Sequence, residues 1–148
     1  MFTGWSIHAL DAKSRLAIPA RFRDLLRDEE SGSERLVLTT SERCLVAYPY
    51  NEWRAIADKV GNQSRVDPKV LAFRRYFISG ASECTCDKQG RVLIPQPLKD
   101  LAGLDGQIYL VGMQHNFEIW DKDRWFAERE QINANFGDLS SFMAALGV

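Results

Sequence analysis

The sequence predicts a mainly β fold of the α+β class, in which one β-rich unit occurs twice. The first observation is a repeated motif, since "DAKSRLAIP" at residues 11–19 is matched by "DKQGRVLIP" at residues 87–95. The second is an alignment of residues 36–53 with residues 108–125, which survives a four-residue change in loop length. The third is the length of 148 residues, which suits one compact body. Two such units can bury their sheet faces by pairing into one barrel-like core.

The first half of the unit is predicted to contain two short strands and a helix. Residues 4–10 are β-like, residues 12–14 form a polar turn, and "RLAIP" alternates as a short strand. Pro19 ends this strand and suits the first turn of a helix. That helix, "ARFRDLL", places Phe22, Leu25 and Leu26 on one face.

The second half of the unit is predicted to be two strands and a longer helix. The strands "ERLVLTT" and "CLVAYP" flank the turn "SER", and Asn51 can cap the helix that follows. The apolar stripe of this helix consists of Trp53, Ile56, Ala57 and Val60. The second unit repeats this order. Gly90 in the turn of the second unit suits a positive φ. Ser14 occupies the equivalent position in the first unit, which indicates that the requirement for a positive φ there is mild.

Two further helical regions lie outside the repeats. Asp67 and Pro68 form a helix start in the connecting segment. After Asp121 one helical pattern ends at Gly137, and a short amphipathic piece follows. Its apolar side chains either pack on the body or a neighbouring subunit, or belong to a frayed tail; they are Leu139, Phe142, Met143 and Leu146. The predicted division is a first repeat at 5–51, a helical linker at 52–79, a second repeat at 80–124 and a C-terminal helical segment at 125–148.

The charge distribution favours a local basic patch over a general affinity for polyanions. The formal net charge is −1, but 13 Lys and Arg face 10 Asp and Glu through Gly80, whereas 6 face 10 from Ala81 onward. Five basic residues lie close together between positions 11 and 27: Lys13, Arg15, Arg21, Arg23 and Arg27. A near-neutral chain can bind nucleic acid through such a patch, because the field near a surface depends on where the charges sit.

Several function classes are disfavoured by the residues. A carboxylate dyad of Asp11 and Asp87 is opposed by the neighbouring Lys and Arg, and no P-loop, HExxH or GxSxG motif occurs. Cys84 and Cys86 could form half a metal site, but no second close pair exists. We therefore expect no enzyme activity, no metal, no cofactor and no small-molecule substrate. No stretch is long and apolar enough to cross a bilayer, and the cysteine usage fits the cytosol.

The repeated Asp-x-x-x-Arg motif supports both a structural and a DNA-binding interpretation. Asp11 and Asp87 can each fix a loop by a charge-assisted hydrogen bond across the turn. Arginine matches both phosphate oxygens and the acceptors on guanine. The candidate DNA-binding residues are Lys13, Arg15, Arg21, Arg23, Lys88 and Arg91. A solvated surface is the alternative for Arg21 and Arg23. The first unit is expected to contribute more, because Lys13 aligns with Gln89 and Arg21 with Pro97.

The chain resembles the MraZ family of bacterial transcriptional regulators. The resemblance rests on "MFTG", "LDAKSRLAIPARFR", "CLVAYPYNEW", "YFISGASE", "DKQGRVLIP" and "FEIWDKDRW", and it extends to about Trp125. It implies two SpoVT/AbrB-type swapped-hairpin modules in a double-split β-barrel, and a ring-like homo-oligomer. It also implies binding to direct repeats in double-stranded promoter DNA of the division and cell-wall gene cluster, usually with repression.

The resemblance further implies that the two Asp-x-x-x-Arg motifs contact DNA, which maps that role onto Asp11, Arg15, Asp87 and Arg91. Lys13 matches the basic turn residue of the family, whereas Ser14 stands where the family often has glycine. The expected location is the cytoplasm, in association with the nucleoid. The alternative function is a protein-interaction module of the antitoxin type, which shares this kind of module. RNA binding is disfavoured because no strand carries the usual pair of stacking aromatics.

Overall fold

The computed structural model describes all residues from 1 to 148 and confirms the α+β class. The strands are β1 (Trp5–Ala9), β2 (Arg15–Ala17), β3 (Arg35–Thr40), β4 (Leu45–Pro49), β5 (Ser82–Thr85), β6 (Arg91–Leu93), β7 (Gln107–Gly112) and β8 (Phe117–Asp121). The helices are α1 (Ala20–Leu26), α2 (Tyr50–Gly61), α3 (Pro68–Phe73), α4 (Gln96–Ala102), α5 (Lys122–Ala134) and α6 (Phe136–Leu146). A π-helical turn, Arg74–Ile78, follows α3. No helix has both the length and the apolar character that a membrane span requires.

The two repeats are paired crosswise. The six-stranded sheet has the order β1-β7-β8-β4-β3-β5, and β2 pairs with β6 in a separate two-stranded sheet. The first strand of each repeat therefore pairs with the third strand of the other repeat, and every pairing is antiparallel. The sheet does not close on itself, since β1 and β5 form its edges. The predicted barrel and its swapped-hairpin, double-split form are accordingly not confirmed.

One hydrophobic core lies between the two sheets and their short helices. It holds 18 buried residues drawn from both repeats. At its centre the rings of Phe2, Phe22 and Phe117 meet with centroid distances of 5.0 to 5.4 Å. Because Phe22 belongs to α1 and Phe117 to β8, the core forms only when both repeats are folded together.

Some local predictions are corrected by the structure. Leu25 was expected beside Phe22 and Leu26 on the buried face of α1, but 40% of its surface is exposed. Helix α2 begins at Tyr50 after Pro49, so Asn51 lies inside it and is not its cap. Helix α5 ends at Ala134 and not at Gly137, which lies within α6.

The start of α3 agrees with the sequence. Asp67 caps this helix by accepting a hydrogen bond from the main-chain N–H of Lys69 at 2.8 Å, and Pro68 occupies the first position. The predicted division of the chain into four segments stays a prediction.

Phe117→Ala tests the shared core. We expect the substitution to lower the free energy of unfolding by about 3–5 kcal/mol, because it removes a fully buried ring and leaves a cavity. Urea denaturation followed by circular dichroism measures this loss. Leu101→Ala, at a position 65% exposed, is the control and should change the value by less than about 0.5 kcal/mol. A loss below about 1 kcal/mol at Phe117 would contradict the packing described.

Candidate nucleic-acid interface

The first Asp-x-x-x-Arg motif forms a closed loop around one carboxylate. Asp11 accepts hydrogen bonds from the main-chain N–H of Lys13 at 2.8 Å and from that of Arg15 at 3.0 Å. Its second oxygen accepts from Nε of Arg15 at 2.7 Å. The backbone closes the loop as well, since the N–H of Asp11 donates to the carbonyl of Arg15. The carboxylate therefore fixes both the turn and the direction of the arginine side chain.

The second motif has the same geometry. Asp87 accepts from the main-chain N–H groups of Gln89 and Arg91, both at 2.9 Å, and from Nε of Arg91 at 3.0 Å. Nη2 of Arg91 also donates to Oε1 of Gln89 at 2.6 Å. Asp87 therefore accepts the same set of three hydrogen bonds in its loop as Asp11 does in the first. The repeat in the sequence corresponds to a repeat in three dimensions.

The β2–β6 pairing places the two loops side by side. Arg15 lies opposite Leu93, and Arg91 lies opposite Ala17. Beyond the strands, the N–H of Ile18 donates to the carbonyl of Gly90 at 2.9 Å, and the equivalent bond joins Ile94 to Ser14. Nη1 of Arg91 lies 3.6 Å from Oδ2 of Asp11, so an ion pair also crosses from the second loop to the first.

The four cations of the loops differ in their exposure and in whether they form ion pairs. The side chains of Arg15 and Arg91 keep 30% and 27% of their surface exposed beside their aspartates. Lys13 and Lys88 are exposed and form no ion pair. The loops therefore present two free ammonium groups next to two guanidinium groups that are already oriented.

The two predicted arginines of α1 make contacts within the chain. Nη1 of Arg21 donates to the carbonyl of Thr3 at 2.7 Å, and its guanidinium lies 4.6 Å from the ring centroid of Phe22. Nε of Arg23 donates to the carbonyl of Ile18 at 3.1 Å, and its Nη1 lies 3.7 Å from Oε2 of Glu34. The structure thus groups Lys13, Arg15, Lys88 and Arg91. Arg23 packs on Gly90 of the second loop, whereas Arg21 contacts Thr3 and Phe22 instead.

Each loop is also packed by a cation from the helix of the other repeat. Gly90 has φ of 76°, and a Cβ there would lie 2.6 Å from Nε of Arg23. At the equivalent turn Ser14 also has a positive φ, 61°, and Lys99 donates to its Oγ at 3.2 Å. Ser14 therefore adopts a positive φ like Gly90, and the expectation of only a mild backbone constraint at this position was wrong. Lys99 was missed from the sequence, although it aligns with Arg23.

Hydrogen bonding keeps both aspartates ionised. The main-chain N–H of Arg15, followed by the Arg15 side chain and the N–H of Lys13, holds the pKa of Asp11 at about 2. The pKa of Asp87 is lowered in the same way, chiefly by the main-chain N–H of Arg91. Neither carboxyl has the raised pKa that a catalytic acid at neutral pH needs.

The thiols of Cys84 and Cys86, which precede the second loop, have raised pKa values. Burial raises the pKa of Cys84, and burial together with Glu34 raises that of Cys86 to about 12. Thiols with raised pKa values are poor nucleophiles, because the thiolate is the reactive form.

The chain is similar to a described family over nearly all of its length. The family model "MraZ protein, putative antitoxin-like" matches residues 1–75 and 77–144. A protein of Syntrophobacter fumaroxidans named "Transcriptional regulator MraZ" is 44% identical over 147 residues, which cover 99% of this chain and 97% of that protein. Proteins of the same name from Desulforapulum autotrophicum and Acetivibrio thermocellus are 42% and 38% identical, each with full coverage of both chains.

Titration of Asp11 tests the loop geometry. We expect its carboxyl carbon to titrate with a midpoint of about 2 by NMR. The pKa of Asp11 in the folded chain lies below the ordinary value of about 3.9. The contribution of the ionised carboxylate to the stability of the fold is therefore fully present above about pH 3.9, and it is lost as the pH falls through the folded pKa. In Arg15→Gln the titration midpoint of Asp11 should rise only partway toward the ordinary value, because the main-chain N–H of residue 15 still donates to the carboxylate. Arg27→Gln, which removes a partner of Asp24, should leave it unchanged. A wild-type midpoint near 3.9 would contradict the hydrogen bonds described.

Exchange of the packing pair tests the contact between Arg23 and Gly90. We expect Gly90→Ser to lower the thermal midpoint by several degrees, because strain of about 1–3 kcal/mol shifts a chain of this size by about 2–4 °C per kcal/mol. Addition of Arg23→Lys should recover part of the loss, since the pair then reproduces Ser14 and Lys99. Gly61→Ser is the control, because no atom lies within 4 Å of its Cβ position. An unchanged midpoint in Gly90→Ser would show that Arg23 does not pack there.

Proposed function

Because the chain belongs to the MraZ family, we propose that it is a transcriptional regulator that binds double-stranded DNA through its paired loops. The observation that supports this most directly is the pair of Asp-fixed loops, which present Lys13, Arg15, Lys88 and Arg91 together. Names of the relatives support the regulatory role. We propose no catalytic role for any residue.

The dimensions of the β2–β6 ribbon suit a duplex groove. A two-stranded β ribbon fits the major groove of B-DNA. Arg15 and Arg91 are offset by two residues along the ribbon, since Arg91 lies opposite Ala17. This offset is about 7 Å at the rise of a β-strand, which is comparable with two base-pair steps. In this proposal the arginines read base edges or phosphates, and the free ammonium groups of Lys13 and Lys88 bind phosphates.

Arg21 and Arg23 also belong to the proposed DNA-binding residues, but their role differs from that of the loop cations. Both guanidinium groups already hold partners within the chain, at the carbonyls of Thr3 and Ile18. A bound phosphate would therefore share each guanidinium group with a main-chain carbonyl. We propose that they add positive potential beside the loops, because a partly screened charge still contributes to the local field.

The small number of cations on one subunit supports the proposal of oligomeric binding. Each loop offers two cations against one aspartate, so a single copy neutralises few phosphates. Several copies on consecutive repeats raise the effective concentration of each added contact. We therefore propose a ring-like homo-oligomer that binds repeated operator elements, represses its own promoter and controls the downstream division and cell-wall genes. The corresponding location is the cytoplasm at the nucleoid, and the proposed module is the swapped-hairpin, double-split barrel.

A second candidate is a protein-interaction module of the antitoxin type. The observation that favours it is the description of the family model, which contains the words "putative antitoxin-like". A protein partner that covers the loops would compete with DNA for Lys13 and Lys88. Co-purification of a stoichiometric partner that is released by promoter DNA would favour this candidate.

Gel-shift titration on DNA from upstream of the protein's own gene tests the proposed function. We expect Arg15→Ala to abolish specific binding at physiological salt, because it removes the guanidinium group that Asp11 orients for the DNA contact. The main-chain hydrogen bonds that close the loop remain. Lys13→Gln should weaken binding to all sequences and reduce the slope of log K against log salt by about 0.9 for each bound subunit, because each subunit loses one phosphate contact. Lys59→Gln, at an exposed position of α2, is the matched control and should bind normally. Undiminished binding by Arg15→Ala, with its fold intact, would refute the proposal.

A further inference from the structure

The outer face of the β2–β6 ribbon carries apolar side chains as well as arginines. Successive side chains of a strand point to opposite faces of the sheet. Leu16 and Val92, the central residues of the two strands, are fully buried in the core. The opposite face of the ribbon therefore consists of Arg15, Ala17, Arg91 and Leu93. This face is part of the surface that is proposed to bind DNA.

The strand register places one apolar residue beside each arginine. Leu93 lies directly opposite Arg15, and Ala17 lies directly opposite Arg91. Side chains in such cross-strand positions are close neighbours, with Cβ atoms about 4.5–5.5 Å apart. The two apolar residues occupy the same position in the two repeats, but leucine is much the larger. The first arginine therefore has a bulky apolar neighbour, whereas the second has a small one.

The side chain of Leu93 is largely uncovered. It is 60% exposed, and its uncovered part borders a cavity of about 270 Å³ that it shares with Glu83 and other residues of β5. The carboxylate of Glu83 lies 3.5 Å from Nη2 of Arg35, so it has a cationic partner of its own. Leu93 thus presents apolar surface to the solvent beside an arginine that is already oriented.

We propose that Leu93 contacts the C5 methyl group of a thymine in the major groove of the bound DNA, next to the contact of Arg15. This methyl group is the apolar feature that base edges present in the major groove, and among the four bases only thymine carries it. An apolar side chain recognises it by burying surface that water otherwise covers. The inference rests on the proposed function and deepens it, because it names a base that the interface selects.

The two ends of the ribbon differ in this selection. Ala17 presents a single methyl group at the position equivalent to Leu93, so it buries less surface against a base. The preference for thymine therefore belongs mainly to the end of the ribbon at which Arg15 and Leu93 lie together.

Replacement of thymine by deoxyuridine tests the contact, because it deletes the C5 methyl group and retains the base pair. One DNA fragment from upstream of the protein's own gene is synthesised with thymidine or with deoxyuridine. The affinity of the full-length protein for both forms is measured by gel shift at one salt concentration. We expect wild type to bind the thymine form more tightly by about three- to tenfold for each bound subunit, since burial of one methyl group changes affinity by about this factor.

Variants separate this contact from any change in the stiffness of the DNA. Leu93→Ala should bind both forms of the DNA with nearly equal affinity. Leu93→Ile retains the apolar volume and should keep the wild-type preference for thymine. Leu101→Ala, which shortens another exposed leucine, is the matched control and should keep it as well. Circular dichroism confirms that each variant is folded.

The outcomes distinguish this contact from the proposed function. Equal binding of wild type to both forms of the DNA would overturn the inference and leave the proposed function intact. An undiminished preference for thymine in Leu93→Ala would also overturn it, because another group would then recognise the methyl group. Binding of wild type to neither form would refute the proposed function, and the inference with it.

Discussion

Crosswise strand pairing is the constraint on which the rest of the molecule depends. Because β1 pairs with β7 and β5 pairs with β3, neither repeat completes its sheet alone. The same exchange brings β2 against β6, so the two loops become neighbours although their motifs are 76 residues apart. Hydrophobic burial then stabilises the arrangement as a whole, since the central phenylalanines come from both repeats. The candidate interface is therefore a product of the fold and not of either motif alone.

The loops are organised by short-range hydrogen bonds that act before any ligand is present. Each aspartate accepts two main-chain N–H groups and one guanidinium, which leaves the arginine with little rotamer freedom. A side chain that is already oriented loses less entropy on binding, so more of its interaction energy appears as affinity. Lys13 and Lys88, by contrast, are long and unpaired, and they suit contacts that tolerate variation in phosphate position.

The sequence predicted the local elements and the repeat more fully than their mutual arrangement. Alternation and turn residues identified the short strands, and Gly90 was recognised as a position of positive φ. The crosswise strand order could not be predicted, because alternation fixes which face of a strand is buried but not which strand lies beside it. The packing of Lys99 on Ser14 joins residues 85 apart, and no local pattern reports such a contact. Leu25 was misplaced because it lies about 100° around the axis of α1 from Leu26, and the core contacts only the side of the helix that carries Phe22 and Leu26.

The two repeats lie in one chain, and their loops are chemically unequal. One turn holds a serine beneath a lysine, and the other holds a glycine beneath an arginine. A dimer of identical repeats would be confined to two-fold symmetry, whereas a single chain can assign different side chains to its two ends. The subunit consequently has an intrinsic polarity, by which any extended ligand lying across both turns could be bound in one orientation and distinguished from its reverse.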